Sequence, residues 1–139
     1  MNKHITQLFI ALSNQNNSKT KNLPHSIGKQ TEQLACIYLQ KQGLKLALKN
    51  YCCPRGEIDL IMRDQESLVF VEVRYRKNIN FGTPVESIGS RKLKRIRTAI
   101  NHYMMTNNLG YLPCRIDVIG LHGNIEHPNI QWIKNVITE

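Results

Sequence analysis

Acidic side chains stand in this sequence at a spacing that suits phosphodiester chemistry. Glu57 and Asp59 lie in EIDLIMR, Glu57 to Arg63, and Glu72 and Arg74 lie in LVFVEVRY, Leu68 to Tyr75. Both runs have the composition of strands, and the polar DQES between them, Asp64 to Ser67, reads as a hairpin turn. A turn about Gln65 and Glu66 sets Asp59 opposite Glu72 and Glu57 opposite Arg74. The other face then pairs Ile58 with Val73, Leu60 with Val71 and Met62 with Val69, all apolar. A one-residue slip would mix the faces, so the pattern itself selects this register.

Two carboxylates on adjacent strands, with Cβ atoms about 5 Å apart, repel unless something positive lies between them. A divalent cation would answer that need. Oxygen ligands suit magnesium or manganese, and such an ion can lower the pKa of a bound water and stabilise charge on a phosphodiester. The competing reading is a cross-strand salt-bridge ladder of Glu57, Asp59, Glu72 and Arg74. Three acids against one base would leave that ladder negative, which favours a cation.

The basic residues point to a partner. Of a formal charge of +9, the window from Arg74 to Arg97 alone holds eight basic residues, Arg74, Arg76, Lys77, Arg91, Lys92, Lys94, Arg95 and Arg97, against the single acid Glu86. A solvated face can look like this, but such a density in a small domain favours a polyanion, and nucleic acid above all. Arg76, Arg91, Lys92, Lys94 and Arg95 are the candidate phosphate contacts. With 139 residues the chain suits one domain. No run approaches the roughly 18 to 20 apolar residues of a membrane-spanning helix. Cys36, Cys52, Cys53 and Cys114 form no CxxC pair, so they read as reduced, mostly structural thiols of a cytoplasmic protein rather than zinc ligands.

The elements that must position these residues follow from periodicity. Ile27 to Gln42 reads as an amphipathic helix, with Ile27, Leu34, Ala35, Tyr38 and Leu39 inward and Gly43 ending it. Leu44 to Tyr51 alternates as a half-buried strand with Leu44, Leu46 and Leu48 on one face, and Pro54, Arg55 and Gly56 turn the chain into the hairpin. Thr83, Pro84 and Glu86 look like a capping box, and Gly89 separates it from a second helix, Ser90 to about Asn107. Leu93, Ile96, Ile100, Tyr103 and Met104 make that helix's apolar stripe. Cys114 to Leu121 is a further strand, and Ile125 to Ile137 adds a terminal hairpin or a strand with a short helix. Residues 1–22 read as a flexible leader rather than a secretion signal, leaving 23–139 as the domain.

Taken together, GKQTEQLA, GEIDLI, FVEVRYR, FGTP with the later SRK, and CRIDVIGL resemble the YraN family of largely uncharacterised bacterial proteins, over nearly all of Ile27 to Ile137. The resemblance implies a restriction-endonuclease-like fold related to the PD-(D/E)XK nucleases and similar to archaeal Holliday-junction resolvases. That fold is a mixed central sheet flanked by helices, in the order α-β-β-β-α-β-β. It further implies that Asp59 and Glu72 bind the metal, with the Val73 carbonyl as a third ligand, and that Glu32 approaches the ion from the first helix. Arg74 stands where the nuclease motif usually has lysine. Arginine stays charged and cannot act as a general base, though it can stabilise developing negative charge. Arg91 and Lys92 would meet phosphates at a helix N-terminus. Glu57 is expected to hold Arg74, and Asp117 to form a structural pair with Arg115 two residues before it. The sequence thus points to a metal-dependent nuclease for structured or branched DNA, with a homodimer as its candidate assembly and a binding protein that has lost cleavage as the alternative.

Overall fold

In a computed structural model the described residues are 26–136, so the expected leader lies outside them. Helix α1, Ile27–Lys41, is followed by strands β1, Lys45–Cys53, β2, Gly56–Asp64, and β3, Ser67–Arg76. A short 3-10 turn, Val85–Ser87, leads into helix α2, Ser90–Thr106, and strands β4, Cys114–His122, and β5, Asn129–Ile133, complete the order. The five strands form one mixed sheet ordered β1-β2-β3-β4-β5. Only β3 and β4 pair in parallel, because α2 carries the chain back across one face between them. The order is the one the resemblance implies, and the terminal segment forms a hairpin with β4.

Each helix seals one face of the sheet. Ala35, Cys36 and Leu39 of α1 pack with Leu60, Met62, Val69, Val71, Ile119 and Leu121. On the other face the expected stripe of α2, joined by Ala99, packs with Ile58, Ile61, Leu68 and Phe70. Ser26 caps α1 through its hydroxyl on the Lys29 amide, and Gly43 leaves it with a positive φ of 100°. Ile27, expected on the inward stripe, is instead 59% exposed: it is the first residue of the helix and joins neither core cluster. No helix among the described residues is long and apolar enough to cross a membrane.

Two irregularities redistribute the strand faces. Leu44 and Leu46 join the α1 side, but a register shift between Leu46 and Leu48 sends Leu48 to the α2 side, so the three leucines do not share a face. Two residues on, Asn50 adopts a left-handed φ of 53°, between the pairs Lys49 with Leu60 and Tyr51 with Ile58. Ile58 packs towards α2 while Leu60 packs towards α1, although two residues apart in a flat strand would share a side.

Candidate active site

The hairpin register predicted from the turn holds from Asp64 and Ser67 inward to Leu60 and Val71, and there the ladder stops. Asp59 with Glu72, Ile58 with Val73, and Glu57 with Arg74 are not ladder pairs. The reason is local. The Val73 amide, which a continuing ladder would spend on a β2 carbonyl, donates instead to Asp59 Oδ2 at 2.8 Å. The strands part at Asp59, and its carboxylate turns into the opening beside Glu72.

Glu72 is buried, its side chain only 4% exposed. Its Oε1 lies 3.3 Å from Arg74 Nε and 3.5 Å from Lys92 Nζ. Its Oε2 is buried with no hydrogen-bond partner. Arg74 Nε likewise lacks an aligned acceptor, so its attraction to Glu72 is that of charges rather than a formed hydrogen bond. Burial and then the neighbouring Asp59 push the Glu72 carboxyl up to about 7, against the pull of Lys92 and Arg74. Burial also raises Asp59, opposed by the Val73 amide. A buried carboxyl beside a half-buried one, resisting joint ionisation and with one oxygen orphaned, is a donor set that a hard cation would satisfy.

The expected residues gather only in part. Asp59 and Glu72 converge, closely enough for the Asp59 carboxylate to push the Glu72 carboxyl up. Glu32 is half-buried on α1, and its carboxyl is raised by burial first and then by Asp59, while Asn50 holds it by a hydrogen bond. It thus feels Asp59, yet no three His, Cys, Asp or Glu side chains among the described residues are close enough to ligate one ion. A cation here would rest on Asp59 and Glu72, with water and phosphate completing its shell. The Val73 backbone lies at the site, but the contact it makes is through its amide, to Asp59. Glu57 is exposed and pairs in β1 with Cys52, so it does not hold Arg74 as expected; Glu72, two residues back on the same strand, does.

Among the basic residues, Arg91, Lys94 and Arg95 are exposed along α2, whose first turn has neither an acid nor a side-chain cap. Arg76 is half-buried, and its guanidinium donates to the Phe81 and Gly82 carbonyls at 3.2 and 3.4 Å. Lys92 departs most from its neighbours, because its ammonium reaches Glu72 instead of open solvent. A signal for this lies in the sequence: Lys92, Ile96, Ala99 and Tyr103 follow helical spacing, so Lys92 begins the buried stripe. Lys92 and Arg95 also border an adjoining cleft of about 310 Å³ that Cys52, Cys53 and Glu57 line.

Asp117 is fully buried and accepts from Arg115 Nε at 3.0 Å, Trp132 Nε1 at 3.0 Å and the Asn135 amide at 2.9 Å. Arg115 also reaches Asp64 at 3.0 Å. The expected structural pair is therefore a latch tying β4 to β5 and to the hairpin turn. All four cysteines are free, but only Cys36 is buried, and Cys52 and Cys114 are exposed.

Comparison with known proteins adds a family to this geometry. A family model described as "Uncharacterised protein family UPF0102" matches residues 31–121. A relative from Nitrosococcus oceani is 49% identical over 109 residues, covering 78% of this chain and 88% of the relative. One from Legionella pneumophila is 48% identical over 78% of this chain and 91% of its own length. One from Coxiella burnetii is 44% identical over 83% and 94%. Each of the three is called a UPF0102 protein.

Proposed function

The chain belongs to the uncharacterised protein family UPF0102, and from that premise we propose that it is a divalent-metal-dependent nuclease acting on structured or branched DNA. The observation that carries this reading is the Glu72 carboxyl: buried, with Oε2 unpartnered, and driven up to about 7 beside Asp59. A purely structural acid would have its lone pairs met, as those of Asp117 are.

Asp59 and Glu72 would hold magnesium or manganese. When bound, the ion supplies a Lewis acid that lowers the pKa of a water and neutralises charge on the phosphate. The protein's own part is positioning. The Val73 amide fixes the rotamer of Asp59, and Lys92 and Arg74 bracket Glu72 Oε1 from α2 and β3. On this reading those two cations would meet a phosphate that approaches the carboxylates. Arg74, always charged, stabilises the pentacoordinate phosphorane, and Lys92 supplies the flexible donor that the motif arginine is not. Arg91, Lys94 and Arg95 extend the positive track along α2, which reads backbone and shape rather than base sequence. A DNA substrate would place the protein in the cytoplasm, and a symmetric junction would favour a homodimer.

The test is incubation of the full chain with labelled four-way junctions, flaps, duplex and RNA, in magnesium or manganese. Metal-dependent cleavage that Asp59→Asn and Glu72→Gln each abolish, with binding retained, is the expected result. Wild-type protein that binds junctions and never cuts them under either metal would establish the non-cleaving binding protein instead.

A further inference from the structure

The segment after β3 holds the least buried large apolar side chain among the described residues, Phe81, 93% exposed, with Ile79 beside it at 43%. Its backbone is nevertheless pinned. The Asn80 amide donates to Asn78 Oδ1 at 2.8 Å, and the Gly82 amide closes a turn on the Ile79 carbonyl at 3.1 Å. Gly82 has a φ of +113°, which a side chain would strain, and a Cβ there would come within 3.2 Å of Glu86 Oε2. The Arg76 guanidinium grips the Phe81 and Gly82 carbonyls from the strand. On the far side the Thr83 amide donates to Glu86 Oε2 at 3.0 Å and the Glu86 amide to Thr83 Oγ1 at 3.3 Å, a reciprocal box that anchors the exit.

An apolar ring in water is unfavourable, and a turn held at both ends cannot fold it away. A partner that covers the ring would gain the stabilisation its exposure forgoes. The flanking charge selects the chemistry: Arg74, Arg76 and Lys77 precede the turn, and Arg91, Lys92, Lys94 and Arg95 follow it, with Glu86 as the one acid between. A ring presented on a rigid tip amid cations fits a polyanion that also offers flat π faces. Base pairs within a continuous duplex keep those faces stacked on each other, whereas a branch point, flap or single strand exposes them.

We propose that the Asn78 to Gly82 turn is a nucleobase-stacking element. Phe81 packs on an unpaired base where duplex ends or branches, and the basic segments on either side hold the phosphates. The turn follows directly from the strand carrying Glu72 and Arg74, so it selects the position on a branched DNA that is offered to the carboxylates. This rests on the nucleic-acid reading above and narrows it to substrates with exposed bases.

The experiment uses the full chain in EDTA, so that nothing is cut, with two labelled DNAs of equal length. One is a uniform duplex, and the other carries a single-stranded flap with 2-aminopurine at its branch. Wild type should bind the flap more tightly and change the 2-aminopurine emission. Phe81→Ala should weaken flap binding about fivefold or more, the lower end for one stacked base, and leave duplex affinity and its salt dependence alone. Phe81→Trp should restore both flap affinity and the emission change. Equal losses on both DNAs, or none on the flap, overturn the stacking role while salt-sensitive duplex binding leaves the nucleic-acid reading standing. Wild type that binds neither DNA overturns both. A wild-type dimer that becomes a monomer in Phe81→Ala, with flap binding unchanged, assigns the ring to a contact between copies and overturns the proposal.

Discussion

A single carboxyl concentrates the electrostatics of this protein. Glu72 holds its proton more tightly folded than unfolded, with a value of about 7 against an ordinary 4.5. Between those values the native state binds more protons than the unfolded one, so stability falls as pH rises through that window, and the loss is complete above it. Glu72→Gln should therefore stabilise the metal-free protein at pH 8, by on the order of 2–3 kcal/mol, and change little near pH 4, as denaturant melts at the two pH values would read. An effect of Glu72→Gln that is the same at both pH values would refute the assignment. Magnesium should raise the melting temperature of the wild type at pH 8 and leave Glu72→Gln unmoved. Lys92→Met should reduce cleavage far more than Lys94→Met does, because only Lys92 reaches Glu72. Equal effects of the two on turnover would return Lys92 to the general phosphate track.

At the scale of elements, the site depends on how closely β2 approaches α2. A Cβ on Gly56 would lie 2.7 Å from the Arg95 backbone carbonyl. Gly56→Ala must push strand and helix apart, at a cost of roughly 1–3 kcal/mol, and should lower cleavage beyond what the lost stability explains, since Lys92 rides on the displaced helix. Activity measured well below the melting point checks this. Helices, strands and their order were legible in the sequence, because periodicity and the Gly43, Pro84 and Gly89 signals are local. The facing of β1 and the outer half of β2 was not. LKLALK reads as unbroken alternation, and neither the register shift after Leu46 nor the left-handed Asn50 leaves a trace in it. The Asp59 and Glu72 pairing was legible from the turn as a meeting of two side chains. Its failure as a ladder pair was not, because a side chain competing for the Val73 amide lies outside register arithmetic. Glu57 was misplaced for the same reason. Lys92 was hidden by company: among eight basic residues, charge alone gives no reason to single one out.

Over the whole molecule, charge and topology act together. The net +9 predicts binding that weakens with salt, and Arg91→Ala with Arg95→Ala should each reduce the slope of log affinity against log salt by about one. Titrations at several salt concentrations decide it, and an unchanged slope would remove α2 from the contact surface. The Asp117 latch binds the sheet's far edge to its centre, and Asp117→Ala should cost about 3 kcal/mol or more by leaving Arg115 and Trp132 without their shared acceptor. The parallel pairing of β3 and β4 has a consequence for biosynthesis. As the chain leaves the ribosome, the hairpin can close at once, but β3, ending at Arg76, waits for β4, which starts at Cys114. Until then its apolar edge stays open, a template for pairing with another nascent chain. The segment synthesised during that interval is the basic one, and like charges on neighbouring nascent chains keep such edges apart. Chains ending at residue 107 should thus aggregate readily once Arg91, Lys94, Arg95 and Arg97 are replaced by glutamine, and much less so with them intact. On this view the cations that serve the mature surface also guard an unfinished sheet.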